Sequence, residues 1–194
     1  CYLNESCNYP EDCIHNYELR ITNYELRIKN NSAFRIPHSE LTFGCFNNFM
    51  KLNREVLGCF WEILRAMPEA RLILQDTTRI PLRLECLSER MEALGVPMER
   101  VELRLGSDDY LEEYQEIDIM LDPWPYPGGA MTATALYMGV PVVTMAGDRH
   151  GSRFGMSLLT AAGMPQLIAE SRQDYVYRAC SLAANMRDLE DLQG

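Results

Sequence analysis

The stretch Asp122–Gly129 reads DPWPYPGG, and its residue types suit the binding of an anion. Three prolines stiffen the approach, and two adjacent glycines let backbone N–H groups come close to a ligand. An apolar run precedes this stretch, and a helix-forming run opens at Ala130. A strand, a glycine pair and a helix N-terminus together offer unpaired N–H donors and a positive dipole end, which fits a pyrophosphate. A turn that merely needs glycine is the other reading of Gly128 and Gly129. Lys51 can bring a point charge to a phosphate or stand as a solvated surface lysine. Arg153 offers an anion contact or an ordinary salt bridge at a helix start. His150 can donate to a sugar or phosphate oxygen or be a solvated loop histidine. The sequence shows no Ser-His-Asp arrangement, no metal-binding helix pair, no G-x-x-x-x-G-K-[ST] loop and no G-x-G-x-x-G fingerprint. Nucleophilic hydrolysis, zinc chemistry, Walker-type ATP hydrolysis and a dinucleotide fingerprint site are thereby disfavoured. Nucleotide-diphosphate binding is what remains.

The elements that must position these residues alternate regularly from Leu41. The apolar run Leu41–Phe46 predicts a strand, and Asn53 predicts the cap of a helix that buries Val56, Leu57, Phe60, Trp61 and Leu64. Pro68 closes that helix, and Arg71–Leu74 reads as the next buried strand. The pattern continues with a helix over about Pro81–Leu94 ending at Gly95 and a strand over Val101–Leu105. A helix capped by Ser107 is expected to run to about Glu116. The strand Ile117–Leu121, the Pro/Gly loop, the helix Ala130–Met138 and the strand Val140–Thr144 follow. Two further helices are expected near Arg153–Ala162 and from the cap Ser171, the last burying Tyr175, Ala179, Leu182 and Ala183. Such alternation predicts an α/β fold of Rossmann-like type, a parallel sheet with helices on both faces. Ligands of such sheets gather at the carboxyl ends of the strands, here the loops after Phe46, Leu74, Leu105, Leu121 and Thr144.

With 194 residues the chain can hold one sizeable core. The formal net charge of -10 argues against nonspecific nucleic-acid binding. No apolar run approaches the roughly 20 residues needed to span a bilayer. Seven cysteines, an odd number, suggest reduced thiols and a cytoplasmic protein, and those from Cys45 onward sit among apolar neighbours like small core residues. Cys1, Cys7, Cys13 and His15 lack the short spacing of structural zinc ligands, so no metal is expected. The chain opens on Cys1 without a charged-then-apolar leader and is expected to be a piece of a longer product. Residues 1–40 read as a linker or insertion, because Asn16–Thr22 (NYELRIT) is followed at once by Asn23–Lys29 (NYELRIK). Residues 41–194 read as the binding lobe.

Four ordered motifs carry a family resemblance: Thr42–Lys51 (TFGCFNNFMK), Asp118–Gly129 (DIMLDPWPYPGG), Ala135–Thr144 (ALYMGVPVVT) and Gly151–Leu159 (GSRFGMSLL). Over about Leu41 to the end the chain resembles the family 41 glycosyltransferases, the O-linked N-acetylglucosamine transferases and SPINDLY-like proteins, particularly bacterial tetratricopeptide-repeat relatives. That resemblance implies the C-terminal lobe of a two-domain GT-B enzyme holding most of a uridine-diphosphate-sugar site. It implies a protein acceptor whose serine or threonine hydroxyl receives the sugar, an additional N-terminal lobe and repeats as partners, and no metal or other cofactor. By position, Lys51 is similar to the lysine that contacts the donor diphosphate, and Asn48 to a nearby amide of that site. Gly129, Ala130 and Met131 stand where the family usually has a hydroxyl-rich helix start, with Thr132 keeping a hydroxyl close by. Thr134 stands where many members place an acid for the ribose, and Tyr110 where many place a histidine near the nucleotide. Backbone amides need no particular side chain, so phosphate binding is compatible with these departures. A non-catalytic nucleotide-sugar-binding or scaffolding remnant is the alternative they motivate.

Overall fold

The computed structural model describes residues 41–108 and 110–191, with side chains as far as residue 185. The tandem duplication and the proposed linker therefore lie outside the described residues. Six parallel strands form the sheet: β1 (Thr42–Phe46), β2 (Arg71–Gln75), β3 (Val101–Arg104), β4 (Ile119–Leu121), β5 (Val142–Met145) and β6 (Ile168–Ala169). Their order is β3-β2-β1-β4-β5-β6, the doubly wound arrangement in which the winding direction reverses between β1 and β4. Both of those strands are buried along their whole length. That is what a central parallel strand covered on two faces requires, and it is why both read as unbroken apolar runs.

The helices are α1 (Arg54–Ala66), α2 (Leu82–Glu92), the single turn α3 (Tyr110–Glu113), α4 (Ala130–Tyr137), α5 (Phe154–Ala161) and α6 (Arg172–Asp191). Asn53 caps α1 as expected, its Oδ1 accepting from the N–H groups of Glu55 at 2.9 Å and Val56 at 3.0 Å. The buried face of α1 is Val56, Leu57, Cys59, Phe60, Ile63 and Leu64. Trp61 stays half-buried instead of joining it, with the Arg65 guanidinium 5.9 Å from its ring centroid. α6 packs on α1 and on the sheet at β5 through Tyr175, Ala179 and Ala183, while Leu182 is only partly covered. Among the described residues no helix is long and apolar enough to cross a membrane.

Two further expectations change, and one strand is unforeseen. The segment after β3 is not one long helix capped by Ser107, but α3 followed by a 3₁₀ turn over Tyr114–Glu116, since few apolar positions there can anchor a longer one. β6 gives no strand signal in the sequence because only two residues pair. Of the later cysteines Cys45 and Cys59 are buried, whereas Cys180 is half-buried and Cys86 is exposed on α2.

At the amino end of the sheet Arg100 closes the C-terminus of α1. Its Nη2 donates to Leu64 O at 2.9 Å, and its Nη1 to Met67 O at 3.1 Å and Pro68 O at 2.8 Å. A cation over carbonyls left unpaired at a helix end satisfies them and opposes the dipole favourably. Arg100→Ala is expected to cost about 1.5–3 kcal/mol of stability, as charge-assisted bonds do, and to shift the urea midpoint without altering ligand affinity at the opposite end of the sheet.

Candidate functional site

The carboxyl ends of β1 and β4 meet at the switch point, and the loops leaving them are built around one buried carboxylate. Asp122, the first residue after β4, has no solvent exposure. Its Oδ1 accepts the Gly128 N–H at 2.6 Å and its Oδ2 accepts the Thr144 hydroxyl at 2.9 Å, so one side chain joins the proline-rich loop to β5. The Thr132 hydroxyl, also buried, faces the same carboxylate without forming a well-aligned hydrogen bond. Burial pushes the Asp122 pKa up to about 6, while the Gly128 N–H, the Thr144 and Thr132 hydroxyls and the Lys51 charge pull it back down.

Two glycines permit this packing. A Cβ on Gly128 would stand 2.7 Å from Thr132 Oγ1 and 3.0 Å from Asp122 Oδ1, and one on Gly155 would overlap the Thr144 hydroxyl and stand 2.6 Å from Asp122 Oδ2. Gly129 caps α4 with φ 51, a backbone region that L side chains disfavour. The loop is tied down elsewhere too. Asn53 Nδ2 donates to Trp124 O at 2.7 Å, Tyr175 Oη donates to Asp122 O at 3.0 Å, and the Trp124 and Tyr175 rings meet edge to face at 4.7 Å.

A 3₁₀ turn over Phe49–Lys51, capped by Asn48, carries Lys51 back over the switch point. There Lys51 Nζ donates to Asn47 Oδ1 and to Pro127 O, both at 3.1 Å, so it bridges the β1 loop and the glycine turn. Asn47 is fully buried, and its Nδ2 has no hydrogen-bond partner. At the start of α4 the Met131 N–H donates to Gly128 O at 3.2 Å and the Ala133 N–H to Gly129 O at 2.9 Å. With the Gly128 N–H held by Asp122, the amides of Gly129 and Ala130 carry no bond among the described residues.

The structure thus gathers Asn48, Lys51, Gly128, Gly129, Ala130, Met131 and Thr132 at one switch point. The Thr132 side chain points inward to Asp122, not toward solvent. Thr134 donates its hydroxyl to Ala130 O at 2.9 Å, one turn back on α4. Met131 offers its carbonyl to Tyr114 Oη at 3.3 Å, whereas Tyr110 opens α3 beyond β3 and is exposed. His150 and Arg153 follow β5, one strand past β4. His150 is exposed and stacks edge-on against Phe154 at 5.6 Å, and Arg153 Nε donates to Gly147 O at 2.7 Å.

Sequence reasoning does not single out Asn47, Arg83 or the latch role of Asp122. Arg83 carries one usable signal, because a cation in the first turn of a helix opposes the dipole and needs a nearby anion.

A doubly wound parallel sheet covered by helices, with a lysine and an open helix N-terminus at its switch point, defines an α/β lobe of Rossmann-like type. The particular lineage follows from comparison. The model of glycosyl transferase family 41 matches residues 20–194, and the chain belongs to that family. It is 38% identical over 160 residues to the probable UDP-N-acetylglucosamine–peptide N-acetylglucosaminyltransferase SPINDLY of Arabidopsis thaliana. It is 40% identical over 158 residues to the protein of the same description from Oryza sativa subsp. japonica. Each alignment covers 79% of this chain and 17% of the relative, so the chain spans about a sixth of the length of these curated relatives. A solved structure of an O-GlcNAc transferase mutant from Thermobaculum terrenum superposes with a TM-score of 0.71 at 38% identity, covering 75% of this chain and 28% of that one. The fold is that of the C-terminal lobe of a GT-B glycosyltransferase.

With its pKa raised from 3.8 to about 6, folded Asp122 keeps a proton between about pH 4 and pH 6 that the unfolded chain has released. The stability contributed by this group is therefore greatest at the acid side and falls as pH rises through that window. An asparagine in its place cannot titrate. The unfolding free energy of Asp122→Asn relative to the native chain is expected to rise by about 2–3 kcal/mol from pH 4 to pH 7, read from urea titrations at each pH.

Proposed function

We propose that this chain binds a uridine-diphosphate sugar at the β1/β4 switch point and supplies the donor half of a protein glycosyltransferase. The observation that carries the reading is Lys51 Nζ, held by Asn47 Oδ1 and Pro127 O beside the free amides of Gly129 and Ala130. A cation and a helix N-terminus side by side are the chemistry that binds a diphosphate. The donor we favour is UDP-N-acetylglucosamine and the acceptor a serine or threonine hydroxyl of a protein, in keeping with the descriptions of the plant relatives.

In the reaction the acceptor oxygen bonds to the anomeric carbon, the bond from that carbon to the diphosphate breaks, and the hydroxyl proton passes to a base. Lys51 and the two amides stabilise the negative charge that builds on the departing diphosphate, and the braced loops hold the donor in place. Asn48 adds a hydrogen bond to the donor. Thr132 shapes the turn from inside, and Gly128 lets the turn pack against it. Met131 and Thr134 line the first two turns of α4, while Tyr110 flanks the nucleotide end and His150 with Arg153 flank the sugar end. We assign the general base to an additional lobe, since the chain spans 17% of these relatives. The isolated chain is accordingly proposed to bind donor without appreciable transfer, and the whole protein to work in the cytoplasm.

Calorimetric titration with uridine diphosphate tests the site directly. Lys51→Ala is expected to lose about 1–3 kcal/mol of affinity while remaining folded, its melting temperature lowered by the loss of the bonds to Asn47 and Pro127. Absence of heat at millimolar ligand, or equal affinity for the variant, refutes the donor-site reading. Transfer by the full-length parent separates an enzyme from a binding remnant.

A further inference from the structure

This inference rests on the donor-site reading and adds to it a residue that neither motif nor comparison assigns. Arg83 stands in the first turn of α2, with its side chain mostly covered. A cation there opposes the helix dipole, so something else must hold it. Asp76, fully buried just past the end of β2, does so. Arg83 Nη1 lies 3.4 Å from Asp76 Oδ2 and 3.5 Å from Oδ1, and Oδ1 is itself oriented by the Thr78 N–H at 3.1 Å.

The same Nη1 donates to Asn48 Oδ1 at 2.9 Å, and that oxygen also accepts the Met50 N–H at 3.0 Å. Two donors on one side of a carboxamide settle which end is oxygen and which is nitrogen. Asn48 Nδ2 must therefore face away from Arg83, and it bonds to no acceptor among the described residues. Asn48 is the cap of the very turn that carries Lys51. Arg90, two turns further along α2, donates to Leu52 O just past that turn, so the helix grips the Lys51 loop at two points.

We propose that Arg83 is a positioning residue of the donor site: anchored by Asp76, it holds Asn48 Oδ1 so that the two N–H groups of Asn48 Nδ2 are presented to an acceptor oxygen of the sugar nucleotide. Arg83 acts through Asn48, and its contribution disappears when Asn48 has no amide to orient.

The test is a double-mutant cycle on this chain, with UDP-N-acetylglucosamine affinity measured by calorimetry and folding checked by thermal melting. Arg83→Met is made together with Asp76→Asn, so that no buried carboxylate is stranded. The paired change is expected to weaken binding about tenfold, the scale of one hydrogen bond, and by less than about twofold when Asn48 is already alanine. Asn48→Asp gives a second reading that does not depend on the fate of the paired variant. A carboxylate there still accepts from Arg83 and Met50, so melting is retained or raised, yet binding falls at least as far as for Asn48→Ala because the donor is gone and a negative charge faces the diphosphate. Equal losses with and without Asn48, or native-like binding by Asn48→Asp, overturn the role of Arg83 while leaving Lys51 intact. No binding by the native chain at millimolar ligand overturns the donor site as well, and a weakened Lys51→Ala alongside an uncoupled Arg83 isolates the failure to this inference.

Discussion

The site depends first on a carboxylate that has been taken out of water. Asp122 accepts from an amide of the proline-rich loop and from a hydroxyl of β5, and both are brought within reach only because Gly128 and Gly155 lack side chains. Removing a charge from solvent is costly unless hydrogen bonds replace the lost hydration, and burial raises the Asp122 pKa although its hydrogen bonds pull it down. The remaining cost is accepted at the one point where a turn, a helix start and two strand ends must be fixed together. Once Gly128 is held, the neighbouring Gly129 and Ala130 amides carry no bond among the described residues.

A second layer of contacts braces the lysine. The 3₁₀ turn that carries Lys51 is held from β1 by its own asparagines and from α2 by Arg83 and Arg90, while Pro127 O receives Nζ from the opposite loop. These interactions span β2, β1 and β4, so the site is a property of the sheet edge and not of any one segment. They also gather a cation and unpaired amides at one edge of a chain whose formal net charge is -10. Long-range repulsion is weak beyond a Debye length, whereas a cation and oriented amides act within a few ångströms.

The membership in glycosyl transferase family 41 accounts for the sheet order and for the position of the glycine turn. It does not account for the side chains at the start of α4. Ala130 offers no hydroxyl, Thr132 is turned inward, and Thr134 bonds its own helix. The polar groups left at this edge are accordingly the Gly129 and Ala130 amides, the Lys51 ammonium and the Asn48 carboxamide. Two exposed aromatics, Tyr110 at the start of α3 and Tyr126 in the proline-rich loop, stand past the carboxyl ends of β3 and β4.

Local sequence determined the alternation of strands and helices, the Asn53 cap, the α/β class and the loop where β4 runs into α4, because apolar period, capping residues and glycine are properties of neighbours along the chain. The candidate cluster of Lys51, Asn48 and Gly128–Thr132 was also legible, since loop positions after strands follow from that alternation and the four motifs identified the family. What the sequence could not show is which polar groups are consumed by the protein itself. Gly128 gives its N–H to a residue six positions earlier, Thr132 buries its hydroxyl, and Arg83 reaches an asparagine 35 residues away. The two-residue β6 and the break of the predicted long helix after β3 were likewise decided by packing. Such pairings exist only after the sheet has set its strand order, and that order is settled by long-range burial that no local pattern encodes.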